Sequence, residues 1–568
     1  MNMTATATPK ALALVIALAL SGHSATATAQ DGSAATSNPV SPALGIQRSD
    51  SERAPAPPPQ PPSAFRNIDG SGNNLFDPTL GQAKQPLRRI APAAYGDGES
   101  TMAGEARPSA RVVSNIVHAQ VESIPDPAGL SDLFWQWSQF LAHDIDFTGG
   151  TEPPEPAPIA VPSGDPWFDP NGTGTQSIAF NRSRYQAGSG LDAGTPRQQL
   201  NEVTGWVDAS MVYGSDIERA RALRTLDGTG HLRTSAGGLL PDSLDGDASD
   251  EARFQFYAGD VRVNEQVGLI ALQTLFLREH NRQADRFRVR HPEWNDEQLY
   301  QAARAMVAAQ IQAITWREFL PRLLGRDALP PYRGYRPTTA AAIANEFSTA
   351  AYRFGHSMIT PMLLRLDAQG QEIEAGHLPL VDAFFSPQRV RDEGGIDPIL
   401  RGMAAQACER LDVMVIDELR NFLFGPPGAD GFDLVSLDIQ RGRDHGLPSY
   451  NAMRESLGLP RARDVRQVSR DPEVQQRLVT AYGNPDRIDL WTGVLAETPR
   501  PGAVLGETAH RILSQQFAAL RDGDRFWWET ALPPELRAEI HATRLVDIIR
   551  RNTDIGSEMT DDPWRTRR

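Results

Sequence analysis

The chain has 568 residues, of which 40% are hydrophobic and 22% charged, so it can bury the core of one large domain or of two to three smaller ones. Its formal net charge of −15 argues against nucleic acid as a partner. Cys408 is the only cysteine, which excludes an intramolecular disulfide, so packing or a bound ion or cofactor must stabilise the fold.

The N-terminal region has the pattern of an export signal followed by a linker. Residues 1–29 contain the basic Lys10, an apolar run at residues 11–20 that is too short to span a bilayer, and an A-x-A cleavage sequence at residues 27–29. Residues 30–66 are rich in Ala, Ser and Pro, which predicts a disordered linker. We therefore expect a secreted protein, extracellular or periplasmic, without stable membrane insertion. An uncleaved anchor is the alternative, and the shortage of cysteine favours a bacterial source.

The segment at residues 134–150, FWQWSQFLAHDIDFTGG, predicts a buried helix that carries polar chemistry. The spacing of a buried helical face is followed by Leu133, Trp137, Phe140 and Leu141. Gln139 and His143 are four residues apart and share one side of this helix, whereas Asp144 is turned about 100° away. A lone histidine in such a helix is most often bonded to a backbone carbonyl, so the rest of the chain must decide its role.

Helical patterns dominate the remaining sequence, and strand patterns are sparse. We expect a single, mainly α domain at residues 67–555, followed by a flexible tail at residues 556–568. Helices are predicted for residues 264–290, 296–324, 340–355, 397–423, 472–482, 508–520 and 533–550. Cys408 lies in one of these apolar runs and is interpreted as a small buried hydrophobic residue.

Four further segments concentrate polar side chains. They are AGDVRVNEQ with Arg262 and Glu265, YRFGHSMITP with Arg353 and His356, LDIQRGRDHGLPSYN with Asp438 and Arg441, and TGWVDASMVYG with Thr204, Asp208 and Ser210. Taken singly, each is more typical of a surface ion pair, a structural histidine, a solvated loop or a turn.

Together, these segments resemble the animal haem peroxidase family of the peroxidase–cyclooxygenase superfamily. The similar stretches cover about residues 67–550 and read QFLAHDIDFT, WVDASMVYGS, LFLREHNR, RFGH, EGGIDPILRG, QRGRDHGLPSYN and FAALRDGDRFWWE. The resemblance implies a large single-domain peroxidase fold with haem b between its central helices. It also implies reduction of hydrogen peroxide and, through compound I, oxidation of small anions such as bromide, iodide or thiocyanate, or of small aromatic donors.

The resemblance assigns a role to each polar residue of the expected haem site. His143 resembles the distal base that moves a proton between the peroxide oxygens, and Arg262 the distal arginine that stabilises developing charge. Gln139 resembles the glutamine that holds water or halide in the pocket. The expected haem contacts on the other face are His356 as the iron ligand and Arg353 and Arg441 as propionate anchors.

A calcium site is also implied by the resemblance. Its expected ligands are oxygen atoms of Asp144, Thr204, Trp206 (through its carbonyl), Asp208 and Ser210, as a hard cation prefers. His143 would then face haem while its neighbour Asp144 faces calcium.

Three departures from the family pattern bear on the chemistry. Ala142 stands where members with doubly ester-linked haem carry Asp, so at most one ester is expected, through Glu265, or a non-covalent or mixed population. Gln266 stands where myeloperoxidase has the Met of its sulfonium link, which should be absent. Asp438, where Asn is usual, should accept the proximal His N–H bond and lower the iron potential. We therefore expect bromide, iodide, thiocyanate or phenols to be oxidised more easily than chloride.

Two other functions are open on sequence alone. A fatty-acid dioxygenase of the superfamily would place a radical Tyr three residues before the proximal His, where this chain has Arg353; Tyr352 is adjacent but about 100° away on a helix. A catalytically inactive calcium-binding or adhesion domain would be expected to lack His143, Arg262 or His356. The sequence leaves open the electron donor, the covalent state of haem and the oligomeric state.

Overall fold

The fold is built almost entirely from helices and loops. The structure is a computed structural model that describes residues 64–242, 255–428 and 431–566, so the expected export signal and most of the linker lie outside the described residues. The strands within these ranges form three antiparallel pairs, Gln85–Pro86 with Leu200–Asn201, Ile159–Ala160 with Ser177–Ile178, and Met362–Leu363 with Leu378–Pro379. This confirms the predicted mainly α class. Within these ranges, no helix has the length and apolar character needed to cross a membrane.

The helices vary widely in length. The longer ones are Asp132–Ile145, Val267–Arg290, Asp296–Ile314, Asp397–Ala405, Leu434–Asp444, Tyr450–Ser456, Pro472–Tyr482, Leu490–Ala496, Glu507–Asp522, Pro534–Ala542 and Leu545–Asn552. Shorter α-helices are Ala110–Val113, Ser210–Tyr213, Ile217–Ala222, Leu320–Leu324, Asn345–Thr349, Leu380–Ala383, Gln388–Arg391, Asp417–Arg420 and Trp528–Ala531. The 3₁₀ turns are Ala236–Gly238, Val263–Glu265, Ala351–Ser357, Val465–Gln467 and Pro485–Arg487, and the π-helical turns are Ser114–His118 and Thr315–Phe319.

The helix Asp132–Ile145 lies at the centre of the core. Its predicted apolar face is fully buried at Leu133, Trp137, Phe140 and Leu141. Burial of each large apolar side chain contributes about 1.5–3 kcal/mol to stability. The elements packed against this helix are Val267–Arg290, Asp397–Ala405, Ser210–Tyr213 and Ala351–Ser357. Its polar residues are thereby surrounded by four other elements.

The helices Val267–Arg290 and Asp296–Ile314 pack against each other and support the central helix. The first begins at Gln266, whose side-chain oxygen accepts a hydrogen bond from the Gly268 N–H at 2.6 Å. The second begins with a capping box, in which Asn295 and Gln298 each bond the other's backbone N–H at 3.0 Å. These two caps set where each helix starts, and the capping box at Asn295 also marks the end of the turn that joins them.

Some predicted helices are wrong in extent. The helix expected at residues 397–423 ends at Ala405, because Gln406 is extended with φ −92° and ψ 131°. Cys408 is buried as predicted but lies outside a helix, and its N–H donates to the Leu130 carbonyl at 2.9 Å. This backbone pairing with a distant segment replaces the intrahelical bonds that the local pattern favoured.

The expectation of a flexible tail is also wrong for residues 556–566. Trp564 is fully buried, its indole N–H donates to Glu318 Oε2 at 2.7 Å, and its ring lies edge-on to Trp137 at 5.7 Å. Arg66, assigned to the linker, forms an ion pair with Asp524 at 2.5 Å. Both ends of the described chain therefore belong to the folded domain.

Candidate active site

One cavity brings together the residues that were predicted for the haem site. His143 reaches it from the helix Asp132–Ile145, and His356 reaches it from the 3₁₀ turn Ala351–Ser357. Its empty space, with the open mouth included, is about 1120 Å³. Its apolar walls are formed by Ile359, Leu380, Phe384, Leu419, Leu423, Phe424 and Leu434. A second cavity shares part of this wall and extends to Asp438 and Arg441, so the two form one cleft.

His143 is buried as a neutral imidazole. Burial, with the nearby positive charge of Arg262, lowers the pKa of His143 to about 3. Its Nδ1 lies 3.5 Å from Asp260 Oδ1 and makes no hydrogen bond, and its Nε2 lies 3.7 Å from Glu265 Oε2. Because the ring is neutral, neither contact is an ion pair, and the imidazole is free to accept a proton.

Arg262 is held in a fixed orientation beside His143. Its Nε and Nη2 donate to the two carboxylate oxygens of Asp260 at 2.9 and 2.8 Å, and Nη2 also donates to the Asp146 carbonyl at 3.0 Å. Its guanidinium lies 4.6 Å from the ring centre of Phe147. Burial would lower the pKa of Arg262, but Asp260 outweighs this effect and the pKa is raised. The site therefore contains a permanent, preorganised positive charge.

Gln139 and Glu265 belong to a network of amide side chains. Gln139 Nε2 donates to Glu265 Oε2 at 3.0 Å, and Gln139 Oε1 accepts from Gln136 and Gln266, each at 3.0 Å. Burial raises the pKa of Glu265 to about 7, against the opposing effect of Arg262. Near neutral pH, Glu265 is thus present in both protonated and ionised forms. The side chain of Gln266 caps the helix Val267–Arg290 and donates a hydrogen bond to Gln139 Oε1.

His356 is paired with a buried carboxylate. Its Nδ1 lies 2.6 Å from Asp438 Oδ2, and the other oxygen of Asp438 accepts from Arg353 Nη1 at 2.8 Å. Burial would raise the pKa of Asp438, but His356 and Arg353 outweigh it and the pKa is lowered. Within the described ranges Nε2 of His356 makes no hydrogen bond, and the side chain is 30% exposed. With Nδ1 as the donor, Nε2 retains the lone pair that a metal ion requires.

Two arginines lie at the Asp438 end of the cleft. Arg353 faces both parts of the cleft, and Arg441 lines the second part. Arg441 donates to Ser183 Oγ at 2.7 Å and to the Asn181 carbonyl at 2.9 Å, and burial lowers its pKa to about 10. The two arginines can pair with two carboxylates, the apolar walls suit a flat apolar ligand, and the imidazole nitrogen of His356 without a hydrogen bond to a described residue can bind a metal. Haem combines these three features.

The expected calcium ligands form a separate, fully enclosed cluster behind His143. Ser210 Oγ donates to the Asp144 carbonyl at 2.7 Å, and its N–H donates to Asp144 Oδ1 at 2.5 Å. Thr204 Oγ1 donates to Asp208 Oδ1 at 3.0 Å, whereas Asp208 Oδ2 is buried without a hydrogen bond. Trp206, the expected carbonyl ligand, is buried in the same loop.

The positive charges of Arg66 and Arg304 compensate this cluster only in part, because they lower the pKa of Asp208 without outweighing its burial. Burial raises the pKa of Asp144, with added repulsion from Asp208, and burial also raises the pKa of Asp208. No group of three or more His, Cys, Asp or Glu side chains suited to a metal occurs in the described part of the chain. A cation here would therefore rely on two carboxylates together with hydroxyl and carbonyl oxygens, which suits a hard ion such as Ca²⁺.

Comparison with known proteins decides the family. Residues 65–564 match the sequence model for animal haem peroxidases. The chain belongs to the animal haem peroxidase family. Peroxinectin A of Dictyostelium discoideum is 37% identical over 512 residues, covering 86% of this chain and 93% of the relative. Human eosinophil peroxidase is 39% identical over 517 residues, covering 82% of this chain and 71% of the relative.

Solved structures agree with this assignment. Peroxidase A of Dictyostelium discoideum superposes with a TM-score of 0.81 at 33% identity, covering 88% of this chain and 99% of that chain. The fatty acid alpha-dioxygenase of Oryza sativa has a TM-score of 0.75 at 22% identity, covering 89% of this chain and 87% of that chain, a likeness that shows the fold alone. This animal haem peroxidase is thus a haem-dependent enzyme that acts with hydrogen peroxide.

The structure corrects the expectation about Tyr352. Tyr352 was expected to point away from the site, but it lines the cavity. The segment Ala351–Ser357 is a 3₁₀ turn with Arg353 at φ −90° and ψ 17°, so α-helical spacing does not apply to it. Three residues before His356, the peroxidase has Arg353, which is paired with Asp438.

Sequence reasoning missed two acidic residues of the site. Asp260 orients Arg262, and the signal for it was the acid two residues before that arginine in AGDVRVNEQ. Asp146 lines the cavity, and burial, opposed by Arg262, raises its pKa to about 6. It stands three residues after His143, a spacing that puts both on one helical face and was the signal for it, although the helix itself ends at Ile145 and Asp146 is extended with φ −145° and ψ 139°.

Proposed function

We propose that this peroxidase binds haem b in the cleft, with His356 on the iron and with Arg353 and Arg441 beside the propionates. When bound, haem supplies the reduction of hydrogen peroxide and the oxidation of a donor. The observation that carries the proposal is that a neutral His143 and a His356 with an unbonded Nε2 share one apolar cavity.

His143 and Arg262 would act on the peroxide. The neutral imidazole takes a proton from one peroxide oxygen at Nε2 and returns it to the other as the O–O bond breaks. Arg262, held by Asp260, stabilises the negative charge that develops on the departing oxygen. Gln139 would hold a water molecule or a halide in the same pocket, and the apolar walls exclude bulk water.

Asp438 is proposed to set the donor preference. A carboxylate 2.6 Å from His356 Nδ1 makes the imidazole a stronger electron donor than an amide partner would, and this lowers the iron potential. We infer that bromide, iodide, thiocyanate and phenols are better donors than chloride.

We further propose that haem is linked through Glu265 at most, because Ala142 has no carboxylate. The pKa of Glu265, raised to about 7, supports its presence as a carboxylic acid. Calcium bound by Asp144, Thr204, Trp206, Asp208 and Ser210 would balance the two buried carboxylates. It would also tie the helix that bears His143 to the loop at Asp208. The signal pattern at residues 1–29 supports secretion.

Two histidine variants test the proposal. After reconstitution with haem, the wild-type protein should show a Soret band and oxidise bromide and guaiacol only with peroxide. His356→Ala should lose the Soret band, whereas His143→Ala should keep the band and lose peroxide-dependent oxidation. His541→Ala, at an exposed position outside the cleft, is the control and should behave as wild type. A His356→Ala protein with an unchanged Soret band would overturn the assignment, as would oxygen uptake on a fatty acid without peroxide.

A further inference from the structure

Five aromatic side chains form a continuous line of contacts from the haem cleft to the surface. Ring centres are 5.5 Å apart for Tyr352 and Phe517, 5.6 Å for Phe517 and Trp316, 4.9 Å for Trp316 and Trp527, and 5.9 Å for Trp527 and Tyr332. Four of these residues are tyrosine or tryptophan, the side chains that lose a single electron most easily. We call this set the aromatic line.

The inner end of the aromatic line opens into the cleft. Tyr352 is 4% exposed and lines the cavity, and its ring is stacked on Phe347 with 4.8 Å between ring centres. Its hydroxyl lies near Ser138 but forms no hydrogen bond of good geometry. A buried phenol normally has a partner. The hydroxyl oxygen is shielded from solvent, whereas the residue as a whole forms part of the cavity wall.

Trp316, in the middle of the aromatic line, lies in a π-helical turn. This turn, Thr315–Phe319, interrupts an otherwise α-helical segment. The indole Nε1 of Trp316 is buried and has no hydrogen bond. π-Helical turns occur frequently at functional sites. Trp527 beside it is 1% exposed, and its N–H donates to Glu529 Oε1 at 3.3 Å.

The outer end of the aromatic line reaches solvent. Tyr332 is half-buried, and its hydroxyl lies 3.2 Å from Thr530 Oγ1 in an exposed hydrogen bond. Tyr335, three residues further on, is also half-buried and bonds the backbone N–H of Leu75 at 3.3 Å. Among the described residues, Tyr335 makes no ring contact with the aromatic line, so it offers a matched comparison.

We propose that Tyr332 is a second oxidation site, at which phenolic donors too large to enter the cleft give up electrons that the aromatic line conducts inward. The proposal rests on the peroxidase function above. Tyr332 loses an electron to Trp527 and its phenolic proton to solvent. The electron passes through Trp316, across the unoxidised ring of Phe517 and through Tyr352 into the cleft.

The donor then restores Tyr332. A donor phenol transfers one electron and one proton to the Tyr332 radical and becomes a phenoxyl radical itself. Reduction of one hydrogen peroxide to two water molecules takes two electrons and two protons, so two donor phenols are oxidised per peroxide. No co-reactant besides the phenol and peroxide is needed.

The test compares one phenol in two sizes on the haem-loaded enzyme. Free tyramine can enter the cleft, whereas tyramine coupled to dextran cannot. Wild type should oxidise both with peroxide. Tyr332→Phe should still oxidise free tyramine and iodide at the wild-type rate but should fall to the no-peroxide background on tyramine–dextran. Tyr335→Phe should match wild type on all three donors.

A radical measurement provides a readout besides activity. Enzyme mixed with peroxide in the absence of a donor and then frozen should give a tyrosyl electron paramagnetic resonance signal. A nitroso spin trap should be recovered by mass spectrometry on the peptide with Tyr332. The trap adduct should be lost in Tyr332→Phe and kept in Tyr335→Phe.

Two results would overturn the inference. One is a wild-type enzyme that oxidises free tyramine but not tyramine–dextran. The other is a Tyr332→Phe enzyme that retains full activity on tyramine–dextran or gives an unchanged trap adduct map. Failure of the peroxidase proposal is distinguishable, because then free tyramine and iodide would not be oxidised by any variant.

Discussion

Replacing Asp438 by Asn tests what the buried carboxylate does to its histidine. Asp438 is fully buried, lies 2.6 Å from His356 Nδ1 and pairs with Arg353 at 2.8 Å. Asn has nearly the same shape and can still accept the His356 N–H bond. The substitution therefore removes a charge with little change in packing.

The expected effect is an increase in the ferric/ferrous reduction potential. A hydrogen bond to a charged group contributes about 1–1.5 kcal/mol more than one between neutral groups. A difference of about 1.4 kcal/mol corresponds to about 60 mV for a one-electron couple. The loss of the carboxylate also leaves the Arg353 charge uncompensated, which shifts the potential in the same direction. We expect a rise of about 40–65 mV from the hydrogen bond, increased further by the Arg353 charge.

The assay is spectroelectrochemical titration of the haem-loaded protein. Asp433→Asn is the control, because Asp433 lies fully buried at the start of the same helix and pairs with Arg111 at 2.8 Å without touching His356, Arg353 or Arg441. It should shift the potential far less. An Asp438→Asn potential that is unchanged, that falls, or that moves no more than in the control would refute the electron-donation argument.

Five further outcomes are expected. His143→Gln should lower the stopped-flow rate of reaction with peroxide by about 10²–10⁴-fold; a smaller loss would point to another base. In the double variant Glu265→Gln/Asp146→Asn, which removes the two cavity carboxylates with pKa values of about 7 and about 6, this rate should stay level from pH 7 to pH 5. Burial lowers the pKa of His143 to about 3, so the imidazole stays neutral; a fall centred near the ordinary histidine value of about 6.5 would contradict this. The same variant should release all its haem unmodified in acidic solvent, whereas retained haem would place the link elsewhere. Asp208→Ala should lose bound calcium by elemental analysis and melt at a lower temperature; equal metal content in both proteins would rule out the site. Bromide turnover at neutral pH should exceed chloride turnover in steady-state assays, and equal rates would contradict the proposed preference for bromide over chloride.

Much of the fold could be predicted because its long helices carry local signals. The helix Pro472–Tyr482 has the predicted bounds, with Asp471 as its cap and Gly483 in the left-handed region at its end. The helix Glu507–Asp522 extends the prediction by one residue at its start and two at its end. Periodicity and capping determine such elements, so they are readable from the chain alone.

The errors arose where distant segments decide the local structure. Cys408 lies outside a helix because its backbone N–H bonds the Leu130 carbonyl, and Trp564 is buried because it contacts Glu318 and Trp137. Tyr352 faces the cleft because a 3₁₀ turn changes the direction of its side chain. The hydrophobic periodicity of a sequence does not indicate contacts between segments that are far apart along the chain. In the site, the motifs pointed to the histidines and Arg262, but the ring contacts that connect Tyr352 to Tyr332 join segments far apart in sequence.

The contact between Trp564 and Trp137 has a consequence for biogenesis. The helix that bears His143 is made early, yet part of its apolar face is covered by a residue near the end of the described chain. A ribosome adds about 5–20 residues per second, so about 20–85 s pass between the synthesis of Trp137 and that of Trp564. Until Trp564 is made, the nascent chain exposes apolar surface that the folded domain buries, and this exposure favours aggregation.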